Sequence, residues 1–209
     1  MTENITVNAQ SSIRIAAEKV VYFDPFKISG SSNDADIIFI THEHFDHFSP
    51  DDIAKVVSDN TVFAVPASMK KAVLDSGISP DKLVALEPNV KTDVCGIPAE
   101  TIPAYNLNKK FHPKNNNWLG YIVTLGGQRI YIAGDTDATP EAKSVSCDIA
   151  MIPIGGTFTM DFREAAEFIN ELKPKTVIPT HYGSVVGNAD DGESFKQLIK
   201  VPTEVVFKL

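Results

Sequence analysis

The sequence predicts an α/β protein in which two packed β-sheets are covered on their outer faces by helices. Three observations indicate this. The first half is dominated by short β-rich runs, whereas the second half alternates apolar runs with helical patterns. DADIIFITH contains a continuous apolar run over residues 37–40, which is typical of a strand buried on both faces. DFREAAEFINELKPK has the clearest helical pattern in the chain.

The elements of the first half follow from short local signals. SIRIAA and KVVYFDPF predict a hairpin, and DADIIFITH predicts a central strand. Ser49 and Pro50 supply an N-cap hydroxyl and a first-turn proline for a helix over PDDIAKVVSDN. TVFAVP predicts the next strand, and SMKKAVLDSG predicts a helix that ends at Gly77. The β-rich runs KLVALEP, TDVCGI and ETIPAYN complete this half.

The second half begins with a hairpin, because two β-rich runs flank Gly126 and Gly127, a pair suited to a tight turn. CDIAMIPIGG then predicts a buried strand. Asp161 and Glu164 have the spacing of a capping box at the start of the clearest helix. TVIPTHYGS predicts a further strand, the helix DGESFKQLIK follows it, and the strand EVVFKL closes the chain.

The bulk composition restricts the class of protein. A length of 209 residues suits a single domain over 1–209, and a formal net charge of -8 disfavours nucleic acid and anionic membranes as partners. Cys95 and Cys147 are far apart, so each is interpreted as a small buried hydrophobic residue, compatible with a reducing cytoplasm. We find no secretory signal and no apolar run of about 18 residues. We therefore expect a cytoplasmic protein with a small-molecule substrate; a homo-oligomer is compatible with these features.

The segment THEHFDHFSP places three of the chain's 5 histidines within six positions, directly after the predicted central strand. Imidazole is the commonest protein ligand for zinc, and it also suits iron and nickel. His42 and His44 are two residues apart, so they project to one side of an extended segment. Asp46 and His47 follow where the chain turns, and can face a second metal ion. The alternative is a solvated polar loop.

The loop also contains side chains that are not expected to bind metal. Glu43 is expected to point away from the metal site, because it lies between two histidines that share a side. Phe45 and Phe48 are expected to pack beneath the loop.

Two further ligand candidates follow strands elsewhere in the chain. Asp135 in AGDTD can bridge two cations, and His181 in PTHYGS ends the strand TVIPTHYGS. The alternatives are a turn aspartate and a satisfied loop histidine. For Asp137 we keep the interpretation that it caps a helix starting near Pro140. Imidazole and carboxylate ligands suit zinc first, with manganese, iron or nickel as alternatives.

These residues resemble a known family. HEHFDH matches the H-x-H-x-D-H signature of the metallo-β-lactamase-fold hydrolases, and GDTD and PTHYG resemble the later motifs of that family. The order agrees along essentially the whole chain. MIPIGGTFTM and IPTHYGS look most like the small stand-alone branch that includes the ascorbate-6-phosphate lactonases. The resemblance implies a four-layer αβ/βα sandwich of two mixed β-sheets flanked by helices, with a two-metal site at one edge.

The resemblance also implies roles for individual residues. One divalent ion is held by His42 and His44, with or without His112, and the other by Asp46, His47 and His181, with Asp135 bridging. The ions supply hydroxide from water and polarise the scissile group. Asp46 is implied to orient the attacking water as well. His112 or Tyr182 can provide the leaving-group proton.

The chain departs from the family pattern at one position. Family members carry a further histidine on a strand about midway between the first motif and the aspartate motif. IPAYNLNKKFHPK has Asn106 near that place and a histidine only at 112. Either His112 folds back as a ligand, or Asn106 replaces the histidine, or one metal position is incomplete and His112 contacts substrate.

The predicted activity is hydrolysis of a small anionic ester, lactone or phosphodiester by a metal-activated water. Lys109, Lys110 and Lys114 surround His112 and can attract an anion, although a solvated loop is the alternative. Trp118 and Phe111 can form an apolar wall. The competing interpretations are a di-iron oxidoreductase and a non-catalytic metal-binding module. The chain has no G-x-S-x-G nucleophile elbow and no phosphate-binding loop of the G-x-x-x-x-G-K-[ST] type.

Overall fold

In the computed structural model, which describes residues 1–209, two β-sheets pack face to face. Neighbouring strands of the first sheet follow the chain order from β1 to β6. β1, β2 and β3 pair antiparallel, and β3 to β6 pair parallel. The strands are β1 (Ile5–Ala9), β2 (Ser12–Ala16), β3 (Val20–Phe23), β4 (Ala35–Phe39), β5 (Val57–Pro66) and β6 (Leu83–Leu86).

The second sheet repeats this division into an antiparallel and a parallel half. β7 to β10 pair antiparallel, and β10 to β13 pair parallel. The strands are β7 (Lys91–Val94), β8 (Ile97–Pro103), β9 (Leu119–Leu125), β10 (Gln128–Ile132), β11 (Ile149–Pro153), β12 (Thr176–Thr180) and β13 (Glu204–Val205).

Five α-helices connect the strands: α1 (Pro50–Val56), α2 (Lys70–Asp75), α3 (Pro140–Lys143), α4 (Phe162–Leu172) and α5 (Asp191–Leu198). Short 3-10 turns lie at Thr2–Asn4, Ala67–Met69, Pro80–Lys82 and Lys114–Asn116. No helix is both long enough and apolar enough to cross a membrane.

Strand β4 shows how the layers form. Its alternate side chains Ile37 and Phe39 belong to the cluster of 22 buried residues between the two sheets. Ile38 and the following Ile40 belong instead to the outer cluster that includes Ile53 of α1. Because successive side chains of a strand face opposite ways, a continuous apolar run contributes side chains both to the core between the sheets and to the core beneath the helices. Helices α4 and α5 cover the outer face of the second sheet in the same way. The predicted sandwich of two mixed sheets flanked by helices is confirmed.

Several local predictions are confirmed. Gly126 and Gly127 both have positive φ, 55° and 71°, as a tight hairpin turn requires. The Asp161 side chain accepts from the amides of Arg163 and Glu164, and the Glu164 carboxylate accepts from the Asp161 amide, so the capping box is complete.

Other predictions are wrong at the level of single elements. Helix α1 ends at Val56, not at residue 60, because the segment after it joins β5. Strand β1 was not predicted, although its alternate burial pattern follows an apolar/polar alternation in ITVNA. Helix α3 is capped by Thr139, whose side chain accepts from the Ala142 amide, and not by Asp137. Cys95 is exposed in the turn after β7, whereas Cys147 is half-buried.

Candidate metal centre

The candidate ligand side chains meet at one edge of the sandwich, because several of the strands that precede them end at that edge. The segment THEHFDHFSP follows β4, Asp135 follows β10 and His181 follows β12. β4 lies in the parallel half of the first sheet, and β10 and β12 lie in the parallel half of the second. His112 comes from the irregular connection between β8 and β9.

A first ligand group consists of His42, His44, His112 and Asp135, whose ligand atoms all lie within 4.8 Å of one another. His42 Nε2 lies 3.0 Å from His44 Nδ1 and 3.9 Å from Asp135 Oδ2. His112 Nε2 lies 3.3 Å from the same Asp135 oxygen. Three imidazole nitrogens and one carboxylate therefore converge on one point.

A second ligand group consists of Asp46, His47 and His181. His181 Nε2 lies 3.3 Å from Asp46 Oδ2 and 3.4 Å from His47 Nε2. Asp135 also borders this group, with Oδ1 3.4 Å from His47 Nε2 and Oδ2 3.3 Å from His181 Nε2. The Asp135 carboxylate thus lies between the two groups, as a bridging ligand requires.

The residues present fit divalent metal ions. His112 Nε2 and Asp135 Oδ1 are buried without a hydrogen-bond partner, which is costly for polar atoms in a protein interior. His47 Nε2 and His181 Nε2 lie 3.4 Å apart, so at most one N–H···N hydrogen bond joins them. A cation accepts all of these lone pairs at once, and nitrogen and carboxylate donors are the set that zinc and similar ions take.

Electrostatics keep most of the candidate ligands in the form that binds metal. Burial holds the pKa of His42 well below its usual value, and nearby His47 lowers it further, so His42 is neutral. Burial alone raises the pKa of Asp135, but His181 and His47 outweigh it and hold that pKa well below its usual range. The pKa of Asp46 is lowered for the same reason, mainly by its hydrogen bond with His181. Both carboxylates are therefore ionised.

His47 is held by a partner that the sequence analysis missed. Its Nδ1 lies 2.7 Å from Asp24 Oδ2, and Asp24 also accepts from the Thr41 amide and hydroxyl. This buried carboxylate fixes the proton on Nδ1 and leaves Nε2 free for a metal. Burial lowers the pKa of His47, but Asp135 and Asp24 outweigh it and raise that pKa well above its usual value, so a metal ion at Nε2 displaces a second proton from the ring. Asp24 follows β3, the parallel neighbour of β4, and only this pairing in the structure brings it to His47.

Asn106 supports His112. The His112 amide donates to Asn106 Oδ1 at 3.0 Å, and His112 Nδ1 lies 3.2 Å from that oxygen and 3.1 Å from the Phe158 carbonyl. The Asn106 amide nitrogen donates to Phe158 O at 2.9 Å. Of the alternatives left open, the structure therefore places His112 in the site, with Asn106 beneath it as a support.

The backbone at His181 is shaped by close contacts. His181 has φ 56°, and its amide donates to the Gln10 carbonyl at 3.0 Å. A Cβ added to Gly155 would lie 2.2 Å from the His181 carbonyl oxygen. Only glycine therefore permits this approach of the loop after β11 to the loop after β12. The Gln10 side chain is fully buried, and neither of its amide atoms has a partner.

A cavity of about 230 Å³ opens in front of both ligand groups. Ligand residues form its floor, and apolar side chains form its walls. The lining residues are His44, Phe45, Asp46, Phe111, His112, Asp135, Phe158, His181 and Val185.

Some expectations about the surroundings are corrected. Phe45 is 67% exposed at the cavity mouth, whereas Phe48 does pack beneath the loop as predicted. Glu43 is exposed, in line with its expected direction. The hydroxyl of Tyr182 lies against Gly192 of α5 and not in the cavity, so it cannot supply the leaving-group proton.

The lysines of NKKFHPK do not reach the cavity. Lys109 Nζ pairs with Asp137 Oδ1 at 2.8 Å, and Lys114 Nζ pairs with Glu141 Oε1 at 2.8 Å. Lys110 is exposed and is not among the lining residues. The lysines that favoured an anionic substrate in the sequence therefore do not line the cavity. Trp118 packs against three of the candidate ligands, and Phe111 forms part of the wall.

Comparison with known protein families gives a match to the model of the beta-lactamase superfamily domain over residues 4–181. Among curated proteins, a UPF0173 metal-dependent hydrolase of Pyrococcus abyssi is 32% identical over 207 residues, which cover 92% of this chain and 90% of that protein.

Solved structures give the same picture. A protein of Parabacteroides distasonis with the provisional designation of metal-dependent hydrolase has 30% identity and a TM-score of 0.82, over 98% of this chain and 92% of the other. The metallo hydrolase Igni18 of Ignicoccus hospitalis shares the fold, with 20% identity and a TM-score of 0.74, over 98% of this chain and 94% of the other.

Proposed function

Because the chain belongs to the metallo-β-lactamase superfamily and, within it, to the UPF0173 metal-dependent hydrolases, we propose that it hydrolyses a small ester, lactone or phosphodiester at a binuclear metal centre. The observation that carries this proposal is the arrangement of two ligand groups around one shared carboxylate, Asp135, beneath an open cavity. A catalytic metal site keeps one side open in this way, whereas a structural site is closed by protein ligands.

Seven side chains hold the metals in this proposal. Those of the first ligand group would hold one divalent ion and those of the second would hold the other, with Asp135 available to both. When bound, such ions lower the pKa of water and polarise the scissile carbonyl or phosphoryl group. Zinc is the first metal to test, with manganese, iron and nickel as alternatives.

The chain's own residues prepare the reaction. Asp46 is ionised and lines the cavity, so its carboxylate can orient the attacking water and accept its proton. Asp24 fixes the orientation of His47, and Asn106 fixes that of His112. Since Nδ1 of His112 is occupied by Asn106 and Phe158, and Nε2 faces Asp135, we assign His112 as a ligand. The leaving-group proton can then return through Asp46.

The test combines metal analysis with a substrate screen. Purified protein is loaded separately with zinc, manganese, iron or nickel, its metal content is measured, and esters, lactones and phosphodiesters are offered. We expect close to two metal ions per chain and turnover in one of these classes. Bound metal without turnover in any class favours a non-catalytic module. Oxygen consumption by the iron-loaded protein with a reductant favours a di-iron oxidoreductase instead.

A further inference from the structure

The mouth of the cavity concentrates exposed apolar side chains. Of seven large hydrophobic residues with high exposure in the chain, three line this one cavity: Phe45 at 67%, Phe111 at 46% and Val185 at 42%. The half-buried Phe158 joins them. They come from four separate connections, after β4, β8, β11 and β12. An exposed apolar group of this kind marks a binding surface, because the chain leaves it in water at a cost.

Two of the rings at the mouth are braced by other rings. Phe111 packs edge-on against Phe158, with centroids 4.6 Å apart and an interplanar angle of 87°. Phe45 packs edge-on against Phe26, with centroids 5.9 Å apart and an angle of 79°. These are favourable aromatic arrangements, so the wall is formed before a ligand arrives.

The same mouth offers no cationic group to a substrate anion. No lysine or arginine lines the cavity. Lys109 and Lys114 are held by Asp137 and Glu141, and the whole chain carries a formal charge of -8. A carboxylate or phosphate placed against Phe45, Phe111 and Val185 loses its hydration without gaining a partner, which is unfavourable. An apolar group in that place gains instead from leaving water.

We propose that the substrate is an uncharged carboxylic ester whose acyl part is apolar and lies against Phe45, Phe111 and Val185, with its scissile carbonyl over the ligand groups. This inference rests on the proposed hydrolytic function and replaces the anionic substrate that the lysine-rich loop favoured. The cavity of about 230 Å³ is small for a ligand site, so the acyl group is short or carries a single ring.

The first test is a series of p-nitrophenyl esters with metal-loaded protein. From acetate to butyrate to hexanoate, we expect kcat/KM to rise about fourfold per methylene. The hemisuccinate ester, which carries a carboxylate, is expected to fall below butyrate. Phe45→Ser and Phe111→Ser are expected to flatten the rise. Val201→Ser is the matched control, because Val201 is 93% exposed and lies outside the cavity.

A charge-introducing variant tests the absence of a cation directly. Val185→Lys places an ammonium group at the mouth, and we expect it to shift the ratio of kcat/KM for hemisuccinate over butyrate upward by about tenfold. Val201→Lys is its control and is expected to leave the ratio unchanged. A wild-type preference for the anionic ester, or a kcat/KM independent of chain length, would overturn the inference.

The second test needs no turnover and separates failure of the inference from failure of the proposed function. Binding of butanamide and hexanamide is followed by NMR of the metal-loaded protein. We expect hexanamide to bind at least about tenfold more tightly, with the difference lost in Phe45→Ser. If no ester is cleaved, the proposed hydrolysis fails, and the apolar site is judged by this binding alone. Equal binding of the two amides overturns it.

Discussion

The two ligand groups are built on different supports, although they share Asp135 and lie side by side. In the second group, His47 is fully buried against the Asp24 carboxylate, and His181 directly follows β12. In the first group, His44 is half-buried and His112 lies in an irregular connection, fixed through Asn106. Outer partners and burial orient metal ligands. We therefore expect the second position to hold its ion more tightly than the first.

The largest effect is expected at the carboxylate that the two groups share. Asp135→Ala removes the only ligand common to both groups, together with the carboxylate that faces His47, His112 and His181. We expect the affinity of both positions to fall by more than about 100-fold, since even outer partners cost about 10- to 100-fold. Metal content after dialysis against a chelator measures this. Two retained ions would contradict a bridging role.

A pair of histidine variants tests the comparison itself. His47→Ala leaves Asp24 buried without its imidazole partner, so we expect loss of the second ion and about 3–5 kcal/mol of folding free energy. His44→Ala removes a half-buried side chain, so we expect loss of the first ion with a smaller loss of stability. Urea unfolding of the metal-free variants measures the difference. Equal destabilisation would mean that the two groups are equally integrated in the fold.

The support beneath His47 is tested by Asp24→Asn. The side-chain amide of the new asparagine donates to His47 Nδ1. The imidazole proton therefore moves to Nε2, the nitrogen that faces His181. We expect about a 10- to 100-fold loss of affinity at the second position only. Asp34→Asn is the control, since Asp34 bonds Arg14 and Tyr22 on the same sheet, away from the ligands. Equal losses of metal affinity in Asp24→Asn and Asp34→Asn would show that the loss follows from removing any negative charge, and not from the contact between Asp24 and His47.

The smallest effect is expected from the support beneath His112. Asn106→Ala removes the oxygen that holds the His112 amide and ring. We expect the first position to lose about tenfold in affinity while the second is unchanged. Asn108→Ala, an exposed change in the same connection, is the control. If both Asn106→Ala and Asn108→Ala leave the first position intact, His112 needs no support from this side chain.

Local patterns in the sequence predict much of the fold. The apolar run of β4, the glycine pair before β10 and the capping box of α4 each have a cause within a few residues. The ligand segment after β4 can be predicted from the sequence for the same reason, because its side chains are close together along the chain. These features need no knowledge of which strands become neighbours.

What the sequence does not predict depends on partners that are distant along the chain. Lys114 pairs with Glu141, 27 residues away, and this removes it from the substrate side of the site. Asp24 reaches His47 only because β3 and β4 are adjacent. The sequence predicts that Phe45 packs beneath the loop, yet this side chain is exposed at the mouth of the cavity. Apolar character alone does not say whether a side chain faces the core or a ligand.

The only tryptophan of the chain has a consequence for measurement. Trp118 is 5% exposed, and its ring centroid lies 4.9 Å from those of His42 and His44 and 5.6 Å from that of His112. All three are in the first ligand group, and none of its close ring contacts involves the second. The protein therefore carries an intrinsic fluorophore beside one metal position. Its emission can follow the filling of that position without any label.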